Sequence, residues 1–410
     1  MSRSTRFFAS LSCILAFSLI VAGCGEATGN NQAEATTDHS KHGTHSNTAA
    51  AKGRLNFNTK NITRINQDDA VRVAVETSQT IWPATSNKNR PGTVLLGIKG
   101  SWKINLPAVT LVHHPNNGPL LYAEKDRIPE VTLQEIQRLN PTGSKMNQGV
   151  QVILIGDFAN KVRQQLEKHG WKVDQIKGTE PAQIAKEIDA YYAKNSGGKF
   201  PNGVVIGSMD ASEYTLPAAN WISHMPEPLL YVNKDAIPQA TMDALKQRNN
   251  KANIYLLGPE KSVSNKVEQQ LQAYGKVTRI SGETPEENAI AFAKFKDSTT
   301  GFGWGITKPG HGFTFNRVNR VDAAIASAPF AHLGKHAPML LLQGAELSNP
   351  LHKYLMSLQP KYKKEPTEGP YSHAFLIGTE KSIPFSTQGM IDEMLEIVPE
   401  SGEGHEAMGH

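Results

Sequence analysis

The sequence predicts an α/β protein of three tandem Rossmann- or flavodoxin-like modules, each a small, mostly parallel sheet with flanking helices. Three observations predict it. A small or acidic residue and a proline open a short apolar run three times, in Pro119-Leu120-Leu121, Pro228-Leu229-Leu230 and Pro338-Met339-Leu340, at intervals of 109 and 110 residues. A second apolar run ends in glycine three times, at Gly156, Gly258 and Gly378. Between these runs the apolar spacing switches to a helical period, as in Val162 and Leu166. A collinear set of this kind is the signature of internal repetition.

From the N-terminus, Arg3 and Arg6 precede an apolar run over residues 7–22, interrupted by Ser10, Ser12 and Ser18. A basic start followed by a run of this length reads as a secretory signal, too short to span a bilayer comfortably. The run ends in Val21-Ala22-Gly23-Cys24, which resembles a bacterial lipobox. That resemblance implies cleavage after residue 23, a diacylglycerol thioether on Cys24, often a third acyl chain, and an extracytoplasmic location. A transmembrane anchor is the competing reading. The abrupt polar stretch from Gly25 favours lipid, since two or more chains anchor stably where one does not.

Residues 24–56 are rich in Ala, Thr, Asn and Ser and read as a flexible tether. His39, His42 and His45 lie in it beside Asp38, and His405 and His410 lie with Met408 in a polar tail over residues 399–410. Neutral imidazoles suit zinc or copper, so a metal-scavenging tract is one reading. A soluble spacer is the other, and it is favoured because nothing fixes a second shell. Cys13 and Cys24 are the two cysteines of the chain, so the body holds no disulfide framework, cysteine zinc site or cysteine nucleophile. Without the signal, 41 basic side chains face 38 acidic ones, a balance that calls for no nucleic-acid partner.

The body divides into modules over residues 57–176, 177–280 and 281–398. Runs such as Val94-Leu95-Leu96 and Val204-Val205-Ile206 read as strands buried on both faces. Thr132 with Glu135 reads as a capping box opening a helix through Leu139, and Ser348 with Pro350 starts its counterpart in the third module. Asn160 to His169 is helical and Gly170 stops it. Lys125-Asp126-Arg127-Ile128-Pro129 returns as Lys234-Asp235-Ala236-Ile237-Pro238. Gly301-Phe302-Gly303-Trp304-Gly305 lacks the pattern of a phosphate or dinucleotide loop and reads as an irregular lead into a strand. His113-His114-Pro115 could hold a general base, but a loop histidine pair without a visible partner reads as solvated surface.

The body resembles three tandem repeats of the cell wall-binding repeat 2 family, found in surface proteins of Gram-positive bacteria. The proline and hydrophobic triplets are similar to that family's Pro-Ile-Leu-Leu, and Thr63-Arg64-Ile65 and Thr278-Arg279-Ile280 to its Thr-Arg-Ile opening. Asp174-Gln175-Ile176 stands at the second opening, and Val321 to Ala326 resembles the Asp-Ala-Leu-Ala stretch. The resemblance implies modules around a pseudo-threefold axis that bind an anionic wall polymer, a peptidoglycan-associated glycan, noncovalently and without a cofactor. Arginine suits such a polymer, because its fork bonds phosphate or carboxylate in pairs. Arg64 and Arg279 are therefore candidate contacts, although each can instead pair with an acid such as Asp68 or Glu283. The family ties binding to the Pro-Leu-Leu positions, so Pro119, Leu120, Leu121, Pro228, Leu229, Leu230, Pro338, Met339 and Leu340 are site-associated, with core packing as their alternative role. The expected protein is a noncatalytic, lipid-anchored envelope component. The competing function is a two-lobed solute-binding lipoprotein of an ABC transporter, against which three repeats argue.

Overall fold

The structure, a computed structural model, describes residues 54–333 and 336–401. The expected signal, Cys24, the histidines His39, His42 and His45, and the tail with His405, Met408 and His410 lie outside the described residues. Among the described residues, no helix is long and apolar enough to cross a membrane.

The chain begins with β1 (Ile62–Ile65), α1 (Ala70–Ile81), β2 (Val94–Ile98), α2 (Trp102–Ala108), β3 (Leu120–Ala123), α3 (Glu130–Leu139), β4 (Val152–Ile155), α4 (Asn160–Lys168) and β5 (Val173–Ile176). The pattern returns as α5 (Pro181–Asn195), β6 (Gly203–Ser208), α6 (Ser212–Thr215), α7 (Ala218–Ile222), β7 (Leu229–Val232), α8 (Gln239–Lys246), β8 (Ala252–Leu257), α9 (Asn265–Leu271) and β9 (Gly275–Ile280). It returns again as α10 (Pro285–Lys294), β10 (Gly312–Arg317), α11 (Val321–Ser327), β11 (Met339–Leu342), α12 (Asn349–Ser357), β12 (Lys361–Tyr362), β13 (His373–Ile377), α13 (Phe385–Leu395) and β14 (Val398–Pro399). Three all-parallel, four-stranded sheets result, ordered β3-β2-β4-β5, β7-β6-β8-β9 and β11-β10-β13-β1; β12 and β14 form a separate short pair. The fold is three repeated Rossmann-like modules, as the repeats predict.

One boundary is corrected. The segment at 62–65, expected to open the first module, completes the sheet of the third. Ile62 stands beside Ala374 and Ile65 beside Ile377 in parallel register. The amide of Gly378 donates to the Ile65 carbonyl at 3.0 Å. The next helix, α1, then packs on β3 of the first module, just as α5 packs on β7 and α10 on β11. The first and second modules thus keep all four of the strands that follow their opening helix, whereas the third takes its fourth strand from the start of the chain, and β1 closes the ring.

The central strands carry no polar alternation because helices cover both faces. All four residues of β4 are fully buried, as are Leu120 and Leu121 in β3. Each such side chain contributes about 1.5–3 kcal/mol by leaving water. The glycine that ends β4, β8 and β13 has positive φ in every module, +100° at Gly156, +108° at Gly258 and +139° at Gly378. A side chain there would strain the backbone, and a Cβ on Gly156 would also come within 3.1 Å of Ile98.

Helix starts follow several chemistries. Pro129 and Pro238, the ends of the repeated Lys-Asp-x-Ile-Pro segments, occupy the N-cap positions of α3 and α8. The capping box expected at Thr132 and Glu135 does not form. Thr132 lies inside α3 and donates to the Tyr122 carbonyl at 2.8 Å, while Glu135 accepts from Ser78 at 2.6 Å and pairs with Arg138 at 2.7 Å. Tertiary partners outbid the local cap because both side chains are buried. A capping box does form at α10, between Thr284 and Glu287. Ser348 and Pro350 stand at the start of α12 as expected, and Val162 and Leu166 are the buried face of α4.

Candidate functional site

The repeated arginines are tied into the fold. Arg64 Nη1 donates to the Gly378 carbonyl at 2.8 Å, Nη2 to the Ile383 carbonyl at 2.9 Å and Nε to Gln388 Oε1 at 2.7 Å. Burial, with the nearby Arg54 charge adding, pulls Arg64 down to about 10. Arg279 repeats the arrangement, donating to the carbonyls of Gly258 at 2.8 Å and Val263 at 3.0 Å, and it pairs with Glu268 at 2.8 Å. In the first module Gln175 does the same work, its amide donating to the Gly156 carbonyl at 2.9 Å. The position therefore needs a long donor that pins the strand-end glycine, and the expected ligand role of Arg64 and Arg279 gives way to that one. Their acid partners also differ from expectation: Glu268 takes Arg279, and Asp68 binds Thr379 and Ser382.

The proline triplets are interior as well. Pro119, Leu120, Leu121, Pro228, Leu229, Leu230, Pro338, Met339 and Leu340 are all buried. The three proline carbonyls each accept at 2.9 Å from the first strand of their own sheet, from Leu95, Val205 and Thr314. These residues pack the edge strand under α1, α5 and α10. A polymer outside the protein cannot touch them, so the packing alternative holds.

Exposed charge gathers instead beyond the carboxyl ends of the strands, where open parallel sheets leave crevices. In the second module a cleft of about 480 Å³ is lined by Lys234, Lys261, Glu260, Glu283, Pro259 and Ser264. Lys261 Nζ donates to the Glu283 carbonyl at 2.5 Å. The corresponding edge of the first module carries Lys125 opposite Asp157 at 3.5 Å and Lys161 opposite Asp126 at 2.8 Å. That of the third carries Arg317, which donates to the carbonyls of Ser382 at 2.6 Å and Gln343 at 3.2 Å.

The modules meet through α2, which packs against α7 and α11, and through the turns after these helices. Polar links cross the seams. Tyr122 donates to the Asp322 carbonyl at 2.9 Å, Asn220 to the Ala337 carbonyl at 2.7 Å and Ser223 to the Ala328 carbonyl at 2.8 Å. The Gly301–Gly305 segment expected to lead into a strand is a loop, and it wedges aromatic rings into the seam between the second and third modules. Phe302 stacks on Tyr255 with ring centroids 3.6 Å apart, and Trp304 meets Trp221 edge-on at 5.1 Å.

At the same meeting point stand His113, His224 and His332, one from each module, with a ring nitrogen from each within 4.8 Å of the others. All three follow a central helix. His113 and His332 come after 3-10 turns at Val109–Leu111 and Ala328–Ala331, and His224 comes two residues after α7. His113 Nδ1 lies 2.6 Å from the His224 carbonyl. A carbonyl only accepts, so the proton sits on Nδ1 and Nε2 is left with its lone pair. His332 Nε2 lies 2.8 Å from Asn117 Oδ1, and Trp82 Nε1 donates to that same oxygen at 3.3 Å. His332 therefore donates through Nε2, and its buried Nδ1 has no partner; the same is true of His224 Nδ1. Burial, with the neighbouring histidines adding, pulls His332 down to about 3 and His224 to about 4, so both are neutral near pH 7. His114 stacks on His113 and His336 meets His224 edge-on, each with centroids 4.3 Å apart.

Sequence reasoning placed His113 on the surface and passed over His224 and His332. A signal was present: the three stand six, four and six positions before the repeated proline.

No family model matches the chain. Over 94 residues, 23% of this chain and 13% of the relative, it is 33% identical to the amidase enhancer of Bacillus subtilis (strain 168). Among solved structures it is similar to Cwp6 from Clostridium difficile, with a TM-score of 0.61 and 19% identity over 84% of this chain and 50% of that one. It is similar also to Cwp8 from Clostridium difficile, with a TM-score of 0.61 and 17% identity over 82% and 52% of the two chains. The chain spans about half the length of these two structures and a much smaller share of the Bacillus protein. At these identities the likeness establishes the fold, three parallel-sheet modules joined in one body.

Proposed function

We propose that this chain is a noncatalytic, lipid-anchored protein of the cell envelope that holds an anionic wall polymer through its three modules. The observation that carries the reading is the match of the three-module body, over 84% of the chain, to Cwp6, a cell wall protein of Clostridium difficile. The secretory signal and Cys24 supply the membrane end of the attachment, and the polar residues 24–56 the tether. A tethered second contact gains from high effective concentration, so weak polymer binding is enough to hold the protein at the wall. The exposed lysines of the strand-end clefts, Lys234 and Lys261 foremost, make the contact, in place of the inward-facing Arg64 and Arg279. A transporter's solute-binding lipoprotein would need two hinged lobes, whereas β1 joins these modules into a closed ring.

The test is cosedimentation of the chain from residue 25 onward with purified wall material. Retention at low salt and release at high salt are expected, because screening weakens contacts between exposed charges. The Lys234→Glu/Lys261→Glu variant should be retained several-fold less. Absence of cosedimentation at low ionic strength would sink the reading. Separately, Cys24→Ser should abolish lipid labelling in cells and free the protein into the medium.

A further inference from the structure

We propose that His113, His224 and His332 form a site for a borderline divalent transition-metal ion, zinc or copper(II), bound by one imidazole from each module. Three neutral imidazole nitrogens are the donor set these ions prefer, whereas magnesium and calcium require oxygen. One ring nitrogen of each histidine lies within 4.8 Å of the others, and each ring keeps a nitrogen lone pair without a hydrogen-bond partner. Nδ1 of His332, a residue only 3% exposed, and Nδ1 of His224 have no hydrogen-bond partner, and Nε2 of His113 is freed by the bond from its Nδ1.

The supporting shell is also in place. A histidine that binds metal through one nitrogen usually donates the other N–H to a carbonyl or carboxylate, which fixes tautomer and ring orientation. His113 uses the His224 carbonyl for this, and His332 uses the side-chain oxygen of Asn117, itself held by Trp82. A tetrahedral zinc with Zn–N of about 2.0–2.1 Å needs nitrogens roughly 3.3 Å apart. From a separation of up to 4.8 Å, the rings must draw together by no more than about 1.5 Å, and no bond to the two Nδ1 atoms opposes that movement. Three ligands leave the fourth position to water or to a neighbouring histidine. Because the ligands come from three modules, the ion would clamp the seams at the centre of the body and stabilise the folded chain over the unfolded one.

The test must separate this site from the terminal histidines. The chain from residue 25 carries His39→Ser, His42→Ser, His45→Ser, His405→Ser and His410→Ser, is stripped with chelator, and is titrated with zinc, copper(II) and magnesium in a calorimeter. One zinc per chain, tighter copper(II) and no magnesium binding are expected, together with a rise in Tm on adding zinc. His113→Gln, at a half-buried position, and His332→Gln should each lower zinc affinity at least a hundredfold and remove the Tm rise while circular dichroism stays native. Asn117→Ala, which touches no metal, should cost ten- to a hundredfold through loss of ring orientation. Absence of zinc binding in the chain without terminal histidines would overturn the proposal, as would parental affinity in both His113→Gln and His332→Gln.

Discussion

Ring closure by β1 makes a prediction that sequence proximity would not. Ile62 is fully buried in the core of the third module, among residues that include Phe313, Leu340 and Leu376. Ile62→Ala removes three carbons, worth about 2.4 kcal/mol at roughly 0.8 kcal/mol each. The cavity that remains after incomplete collapse raises the expected loss to about 3–4 kcal/mol, inside the range of about 2–5 kcal/mol for such truncations. At about 1.4 kcal/mol per tenfold, local opening becomes more than a hundred times as frequent. Amide hydrogen exchange on the chain from residue 25 onward reads this by segment. Faster exchange is expected in 373–377, the strand beside β1, and in 312–317, the next strand of that sheet, with 94–98 and 152–155 unchanged. Acceleration in 94–98 and 152–155, with 373–377 still protected, would refute the closed ring.

Three further outcomes follow from the same geometry. Gln175→Leu strands the Gly156 carbonyl and should cost about 1–3 kcal/mol in urea unfolding, whereas Gln175→Arg, which restores the donor used in the other modules, should cost less. Phe302→Ala removes the ring stacked on Tyr255 and should lower stability by about 3–5 kcal/mol, measured the same way. At Asp68, burial pushes the carboxyl up, but hydrogen bonds from Ser382 and Thr379 and the Arg320 charge outweigh it and hold the pKa below the ordinary value. A depressed carboxyl contributes stability that is present above its unfolded pKa of about 3.9 and is lost as pH falls through the folded value. Asp68→Asn should therefore be less stable than the parent at pH 7, and the gap should narrow below about pH 4; a gap constant to pH 3 would contradict the assignment.

The repeats were legible because strand burial and strand-end glycine each leave a local mark. Val152-Ile153-Leu154-Ile155 followed by Gly156 needs no distant information to be read as a covered strand and its turn. Long-range pairing leaves no such mark. Thr63-Arg64-Ile65 reads alike whether it opens the module after it or closes the ring by pairing with β13. Thr132 and Glu135 fit a capping box by spacing, and only the folded chain supplies the Tyr122 carbonyl and the Ser78 hydroxyl that claim them. The histidine site was hidden for the same reason, since its ligands come from three modules and each alone looks like an ordinary loop residue.

Comparison of the two repeated positions separates architecture from site. Beside the strand-end glycine, two modules use arginine and one uses glutamine, and all three place a donor on the glycine carbonyl. The fold asks for a hydrogen bond there, and any long donor meets the demand. At the centre all three modules present the same imidazole, and packing does not ask for it. An apolar residue of similar volume would fill the space without the penalty of about 1–3 kcal/mol for each buried nitrogen left unpaired, as His224 Nδ1 and His332 Nδ1 are. Those nitrogens lower the stability of the chain by itself, and an ion that accepts their lone pairs turns the same groups into the bond between modules.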